Sequence, residues 1–259
     1  MASGIKTSRY TAAAVVLKSL DYGDSDRIVT FYTEGFGKVK GIAKGARRSR
    51  RRFVNSLEDF SLTSLVFSKK RPEGLALIEA CDVRNHYPGI RADLRKALTA
   101  AYLTELVDRF TLEEKKNDGL FLLLVEFFDL LEKEGFSDGV VRIFELRLLK
   151  LSGYDPVLDR CVGCNIPLKN MTNIYFDPVA GGIRCGCDPR VMEAYPLTTG
   201  TVKLLLLGKT MDVGKLPRLL FSERSLEESR RALAPFIQRL VGKELKSLKV
   251  LNEVERLAL

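Results

Sequence analysis

Apolar and polar residues alternate through most of the first 82 residues, which is the pattern of half-buried β-strands. Turn residues such as Asp21-Tyr22-Gly23-Asp24 and Arg71-Pro72-Glu73-Gly74 separate the alternating stretches. Five short strands in about 75 residues fit a small closed barrel, of either the OB type or the SH3-like type. We predict the strands at YTAAAVVLK, DRIVTFYTE, GKVKGIAKG, LEDFSLTSLVFSK and EGLALIEACDV.

The apolar spacing changes to that of helices after the sequence His86-Tyr87-Pro88-Gly89. The first helix is predicted from Asp93 to about Phe110, and the second, from Gly119 to Lys133, is apolar almost all round and belongs in the centre of a bundle. Further helices are predicted at Asp138 to about Leu151 with Ser137 as N-cap, at Leu197 to Leu207, at Ser225 to Leu240 and at Lys243 to Leu259.

The helix predicted from Ser225 carries two further signals. Its opening sequence, Ser225-Leu226-Glu227-Glu228, matches a capping box. Pro235 lies inside it and predicts a kink or a break.

The charge balance favours polyanionic partners. The 259 residues carry a formal net charge of +9 with a pI near 9.3, which suits DNA, RNA, an anionic membrane surface or an acidic protein tail. The most apolar segment, Leu120 to Leu131, is short and includes Glu126 and Asp129, so no membrane span is expected. The N-terminus lacks the cleavage site of a signal peptide, and we expect a cytoplasmic protein.

A dense cationic run follows the third predicted strand. In the sequence EGFGKVKGIAKGARRSRRRFVNSLE, no acidic residue lies between Glu34 and Glu58 at its two ends, and five arginines fall within six positions. Guanidinium groups bind phosphate oxygens in a bidentate way, so the run predicts contact with a nucleic-acid backbone rather than a merely solvated loop. Four aromatic residues near the run could stack on bases, namely Phe31, Tyr32, Phe36 and Phe53.

Four of the five cysteines are clustered in two close pairs. Cys161-Val-Gly-Cys164 and Cys185-Gly-Cys187 flank a segment that reads as a hairpin with its turn near Gly181. Two pairs on tight turns supply the tetrahedral sulfur ligands that structural zinc prefers. The second pair is tighter than the usual spacing, and Asp188 is a possible substitute for one ligand. Gly163 and Gly186 are expected at positive φ within the two turns.

No catalytic centre is visible in the sequence. The single histidine, His86, has no context of a nucleophile system, and phosphate-binding Gly-rich loops are absent. Asp24 and Asp26, with Glu58 and Asp59, could in principle hold Mg²⁺ for a nuclease. Paired acids at turns are a more common explanation.

Two stretches resemble one known family. VVLKSLDYGDSDRIVTFYTEGFGKVKGIAKGARRSR is similar to the N-terminal region of the bacterial RecO recombination-mediator family, and LLKLSGYDPVLDRCVGC is similar to its later Gly-Tyr, proline and C-x-x-C pattern. The Cys185-Gly-Cys187 pair departs from the C-x-x-C expected there, which puts the fourth zinc ligand in doubt.

The resemblance implies an α+β protein with an N-terminal OB-fold barrel and a helical bundle interrupted by a zinc-binding module. The expected parts are an OB-fold domain at 1–82, a helical domain at 83–158 and 191–259, and the zinc module at 159–190.

The resemblance also implies a function without enzymatic turnover. It implies binding of single- and double-stranded DNA, annealing of complementary strands, and loading of recombinase together with RecR onto DNA covered by single-strand-binding protein. A second expected partner is the acidic C-terminal tail of that protein. A protein adaptor that binds DNA only incidentally is the alternative.

The DNA-contact prediction combines the family motif with charge. By motif position the resemblance assigns Lys44, Gly45, Arg47 and Arg48 to DNA. On charge, the predicted contact also includes Lys38, Lys40, Arg50, Arg51 and Arg52.

Overall fold

The computed structural model describes residues 8–49, 51–69, 74–133, 137–186 and 194–257. The protein is α+β, with an N-terminal sheet domain followed by helices, as predicted. It divides into two compact units, one running up to Glu132 and resuming at Val250, the other running from Lys133 to Lys249. The finer division into an OB-fold domain, a split helical domain and a zinc module stays a prediction.

Five strands form a closed barrel in the order β1-β2-β3-β5-β4. The β3–β5 pair is parallel, and the other pairs are antiparallel. This is the OB-type order rather than the SH3-like one. The strands are β1 Ser8–Tyr22, β2 Asp26–Thr33, β3 Gly37–Ala43, β4 Leu62–Lys69 and β5 Ala76–Asn85.

Alternation along the strands fills the barrel with apolar side chains. Gly41 lies on the inner face, where a Cβ atom would come within 2.4 Å of Ile78 Cδ1. A glycine at this position therefore lets β3 close the barrel against β5. The inner cluster includes Val16, Val29, Phe31, Val39, Leu65, Phe67 and Ile78.

A β-bulge interrupts β1. Val16 pairs with Phe31 and Lys18 pairs with Thr30, so Leu17 is the extra residue between them.

Helices of the same unit cover one end of the barrel's outer face. These are α1 Pro88–Ala92, α2 Leu94–Phe110 and α3 Asp118–Glu132. Helix α1 is not predicted from the sequence. Tyr32 points outward but is fully buried beneath the helices, and its hydroxyl donates to the Asn117 carbonyl oxygen at 3.3 Å. Burial, assisted by the nearby Asp118 carboxylate, raises the pKa of Tyr32 to about 12.

The second unit contains α4 Asp138–Leu151, α5 Thr199–Thr210 and α6 Glu223–Val241; the last helix, α7 Lys246–Leu257, continues from it. The predicted capping box is wrong, because Ser222 is the N-cap of α6 and accepts from the Ser225 N–H. Helix α6 also runs on through Pro235 without a break.

A small sheet lies between α4 and α5 in the chain. It has the order β7-β6-β8 and consists of β6 Ile174–Asp177, β7 Gly182–Cys185 and β8 Tyr195–Leu197. The predicted hairpin is β6–β7. Leu197, the predicted first residue of a helix, instead ends β8, and the helix begins at Thr199.

Across the described ranges, no helix combines the length and the apolar character that crossing a membrane requires.

Candidate nucleic-acid interface and metal centre

The cationic run leaves the barrel at the end of β3 and forms a compact loop. We call residues 45–52 the basic loop. It begins at Gly45 in the left-handed conformation, with φ of 67°, and continues as a short 3₁₀ turn, Ala46–Arg48. Positive φ costs a glycine little, so Gly45 allows the chain to turn sharply there. Arg50 lies outside the described residues.

The turn between β1 and β2 fixes the start of the basic loop. Asp26 Oδ1 accepts a hydrogen bond from the Gly45 N–H at 2.8 Å, and the Arg47 N–H donates to the Ser25 carbonyl oxygen at 3.0 Å. The Gly45 N–H, more than the Ser25 hydroxyl, lowers the pKa of Asp26 against the opposing effect of burial. Arg47 Nε lies 3.4 Å from the Asp21 carboxylate.

Apolar anchors fix the loop from beneath. Ala46 and Phe53 are buried in the barrel core at either end of the arginine run. The Arg52 guanidinium lies 5.1 Å from the centre of the Phe53 ring and donates to the Lys44 carbonyl oxygen at 3.1 Å. The loop is therefore held in place while its cationic side chains face outward.

The predicted DNA-contact residues differ in whether their charged groups already pair with other groups of the protein. Lys38 Nζ donates to the Asp108 carboxylate at 2.9 Å and to its carbonyl oxygen at 2.7 Å, and only 13% of the Lys38 side chain is exposed. Among the predicted DNA-contact residues that the structure describes, four are exposed and make no ion pair or hydrogen bond through their side chains. We call these four the cation patch: Lys40, Lys44, Arg48 and Arg51.

The aromatic residues suggested for base stacking are not available for it. Phe31 and Tyr32 are fully buried, the first in the barrel and the second under the helices, and Phe53 is 5% exposed. Phe36 packs edge-on against Tyr10 and Phe67. The stacking prediction was wrong because the core and the helices cover these rings, and the sequence near a strand does not show what covers it. Tyr22, predicted as a turn residue, is instead 56% exposed at the end of β1.

Three of the four acidic residues considered for a nuclease serve other roles. Asp26 holds the basic loop, and Glu58 accepts from Arg27 Nη1 at 2.9 Å. Asp59 accepts from the Ser19 N–H at 2.8 Å, and burial raises the pKa of its carboxyl. Within the described ranges, the only group of three or more acidic, histidine or cysteine side chains close enough to hold a metal is a set of cysteines.

Three predicted metal ligands lie together. The sulfur atoms of Cys161, Cys164 and Cys185 are within 4.8 Å of one another, and those of Cys164 and Cys185 are 3.4 Å apart. Zn–S bonds of about 2.3 Å at tetrahedral angles place ligand sulfurs roughly 3.8 Å apart, which these spacings match. These three cysteines can therefore hold a metal ion. Cys187 and Asp188 lie outside the described residues.

Backbone N–H groups surround the Cys161 sulfur. The N–H groups of Gly163 and Cys185 point at it from 3.4 and 3.3 Å. Burial opposes the thiolate, but these N–H groups and that of Cys164 lower the pKa of Cys161 to about 7. A sulfur that loses its proton readily is suited to metal binding.

Neither Gly163 nor Gly186 has a positive φ, contrary to prediction. In the first cysteine loop the left-handed residue is Asn165, with φ of 63°.

The β6–β7 hairpin positions Cys185. Asp177 Oδ1 accepts from the N–H groups of Val179 and Ala180, and Oδ2 accepts from Arg184 Nε at 2.6 Å. Gly182 lies so close to the first cysteine loop that a Cβ atom would be 2.6 Å from Val162 Cγ1. The hairpin and the Cys161–Cys164 loop are thus packed together directly.

Comparison with known proteins covers nearly the whole chain. The family profile described as "Recombination protein O N terminal" matches residues 7–87, and "Recombination protein O C terminal" matches residues 91–249. A protein of Syntrophus aciditrophicus (strain SB) called DNA repair protein RecO is 48% identical over 247 residues, which is 94% of this chain and 95% of that protein. Proteins of the same description from Desulfatibacillum aliphaticivorans and Anaeromyxobacter sp. (strain K) are 36% and 34% identical, over 95% of this chain and 97% of each relative.

Proposed function

Because the chain belongs to the RecO family, we propose that it is a DNA repair and recombination mediator that binds single- and double-stranded DNA through its barrel. In this proposal it anneals complementary strands and, with RecR, helps to load recombinase onto DNA covered by single-strand-binding protein. The acidic C-terminal tail of single-strand-binding protein is its other partner. It acts in the cytoplasm at the nucleoid and has no enzymatic turnover.

The observation that carries this proposal is the cation patch, which extends from Lys40 on β3 into the fixed basic loop. Holding several like charges together is unfavourable, and binding a polyanion relieves that repulsion. Because the β1–β2 turn and Phe53 already hold the loop, its cations lose little conformational freedom on binding phosphate. Arg47, Arg50 and Arg52 extend the contact. Lys38 contributes less, because its ammonium group is paired with Asp108.

A surface that binds two strands at once also accounts for annealing. Two DNA strands repel each other through their phosphates, and cations that neutralise both strands remove that barrier.

DNA binding is tested by changing the four residues of the cation patch to glutamine together. Fluorescence anisotropy of a short single-stranded oligonucleotide is followed across a salt series. Each neutralised phosphate contributes about −0.7 to the slope of log K against log salt. If all four residues contact phosphates, the slope of the variant is therefore shallower than that of the wild type by about 3. A matched control removes the same number of positive charges from the second unit, by changing four exposed lysines to glutamine: Lys150, Lys169, Lys203 and Lys215.

Two outcomes contradict the proposed interface. If the control loses as much affinity and slope as the cation-patch variant, the binding reflects net charge and not this patch. If neither variant differs from the wild type, DNA binds elsewhere. Binding of an acidic peptide that DNA does not displace would favour the adaptor function, and Mg²⁺-dependent cutting of DNA would favour a nuclease.

We also propose that the metal is zinc and that its role is structural. Cys161, Cys164 and Cys185 supply three ligands, and Cys187 or Asp188 supplies the fourth. Four protein ligands leave no open position for catalysis. Bound zinc would tie the first cysteine loop to the β6–β7 hairpin.

Metal content tests this proposal. The wild type is expected to carry one zinc per chain by mass spectrometry of the metal, and Cys161→Ser is expected to lose it. Cys81→Ala is the control, because Cys81 lies in the barrel core. Comparing Cys187→Ala with Asp188→Ala identifies the fourth ligand. Zinc retained in full by Cys161→Ser would contradict this ligand set.

A further inference from the structure

A row of aliphatic side chains crosses the outside of the barrel on strands β1, β2, β3 and β5. Leu20 pairs with Ile28, Ile28 with Ile42, and Ile42 with Leu77, so the four residues stand side by side on four neighbouring strands. We call these four residues the outer ladder. Their neighbours along each strand, such as Val29 and Ala76, point into the core, which places the ladder on the opposite face.

The outer ladder is exposed at one end and half-buried along the rest. Leu20 is 51% exposed, and Ile28, Ile42 and Leu77 are half-buried. The patch continues at its borders with Tyr22, 56% exposed, and Leu75, 44% exposed. Single exposed apolar residues are ordinary, but a continuous row over four strands is not, and contiguous patches mark binding sites.

Cations border the ladder on both sides. In the adjacent row Lys18 pairs with Thr30 and Thr30 pairs with Lys40, so both lysines lie on the same outer face. Beyond the other side, β3 continues into Lys44 and the basic loop. An apolar row between two cationic borders is complementary to a single nucleic-acid strand, which carries flat bases and anionic phosphates.

We propose that the outer ladder binds the bases of an unpaired DNA strand while Lys18, Lys40 and Lys44 hold its phosphates. The inference rests on the proposed DNA binding and assigns a second kind of contact to the same surface. In a duplex the bases are stacked inside and do not reach the ladder. The cation patch therefore binds both forms of DNA, and the ladder adds affinity for the unpaired form alone.

Tyr22 lies at the end of the ladder and supplies the aromatic stacking surface that the buried phenylalanines do not. It pairs with Asp26 on β2, one row beyond Leu20 and Ile28. Base stacking on an aromatic ring tolerates any sequence, because every base has a π-face. The arrangement predicts preference for unpaired strands without preference for a base sequence.

The test compares an ordinary oligonucleotide with an abasic one of the same length and charge. Wild-type protein is expected to bind the ordinary strand about tenfold more tightly, the effect of one to two base contacts. Ile28→Thr with Ile42→Thr keeps β-branched residues on the strands and is expected to lose that difference. Binding of the abasic strand and of duplex, and the salt slope, are expected to stay unchanged. The control is Val66→Thr, on the outer face of β4, away from the ladder.

Each result has a definite meaning. Equal binding of both strands by the wild type overturns the ladder proposal and leaves phosphate binding intact; this comparison needs no substitution. An equal loss in Val66→Thr also overturns it. Displacement by an acidic, apolar-ended peptide, with both strands bound alike, would make the ladder a protein-docking surface instead. Failure to bind either strand contradicts the proposed DNA binding itself.

Discussion

Replacing Glu228 by glutamine is expected to destabilise the second unit by removing a charged junction between α5 and α6. Glu228 Oε2 accepts hydrogen bonds from the Thr198 N–H and hydroxyl, both at 2.8 Å, and from the Thr201 hydroxyl at 2.5 Å. Thr198 is the N-cap of α5, so the carboxylate also lies at the positive end of that helix. Arg224 Nε donates to the other carboxylate oxygen at 2.8 Å.

The size of the effect follows from these contacts. Burial opposes the charge of Glu228, but the Thr201 hydroxyl, the Thr198 N–H and Arg224 lower its pKa from 4.5 to about 2. Each pKa unit is worth about 1.4 kcal/mol, so the ionised form is favoured in the folded protein by ~3 kcal/mol. Hydrogen bonds to a charged group stabilise by about 1.5–3 kcal/mol, and glutamine keeps part of them, so we expect a loss of ~2 kcal/mol.

The measurement is thermal unfolding followed by circular dichroism at several pH values. For a chain of this size 1 kcal/mol changes Tm by about 2–4 °C, so Glu228→Gln is expected to melt ~4–8 °C lower at pH 7. Because the folded pKa is below the unfolded one, the wild-type advantage is complete above pH 4.5 and disappears as the pH falls toward 2. Arg231→Gln, which loses only an exposed contact to Glu227, is the control. Equal Tm values at pH 7, or an advantage that persists at pH 2, would refute the reasoning.

Three further changes have expected outcomes. Gly41→Ala forces a Cβ atom against Ile78 and is expected to cost about 1–3 kcal/mol in free energy of unfolding, measured by urea denaturation. Lys38→Gln is expected to leave the salt dependence of DNA binding unchanged in anisotropy, because its ammonium group pairs with Asp108; a smaller slope would contradict this. Asp177→Asn weakens the turn of the β6–β7 hairpin and is expected to speed zinc release to a coloured chelator. An unchanged release rate would show that the hairpin turn does not help to hold the metal.

The barrel was predictable because each strand has one face in the core, and that leaves an alternation that the sequence displays. The same alternation places Lys38 and Lys40 together on the outer face. It does not reveal that Asp108, 70 residues later in the chain, pairs with Lys38 while Lys40 stays in solvent. Coverage of an outer face is a tertiary property, and the sequence near a strand does not encode it.

Local chemistry was ambiguous where two neighbouring residues could serve the same purpose. Ser222 and Ser225 can both cap a helix, and the capping-box pattern favoured the second. In the structure the Glu228 carboxylate accepts hydrogen bonds from the Thr198 and Thr201 hydroxyls at the start of α5. It is therefore not the acidic partner that the capping-box pattern requires. Conversely, the cysteine spacing was informative because metal ligands must converge, whatever the surrounding chain does.

The single extra residue at Leu17 decides which side chains of β1 meet solvent. Side chains alternate with a period of two, so regular pairing of β1 with every residue kept and no bulge would exchange its inner and outer faces from Leu17 on. Lys18 would then point at Val29 in the core, and Leu20 would leave the surface. The bulge thus separates two halves of one continuous strand: Ala12 to Leu17 are buried, whereas Lys18, Leu20 and Tyr22 face solvent.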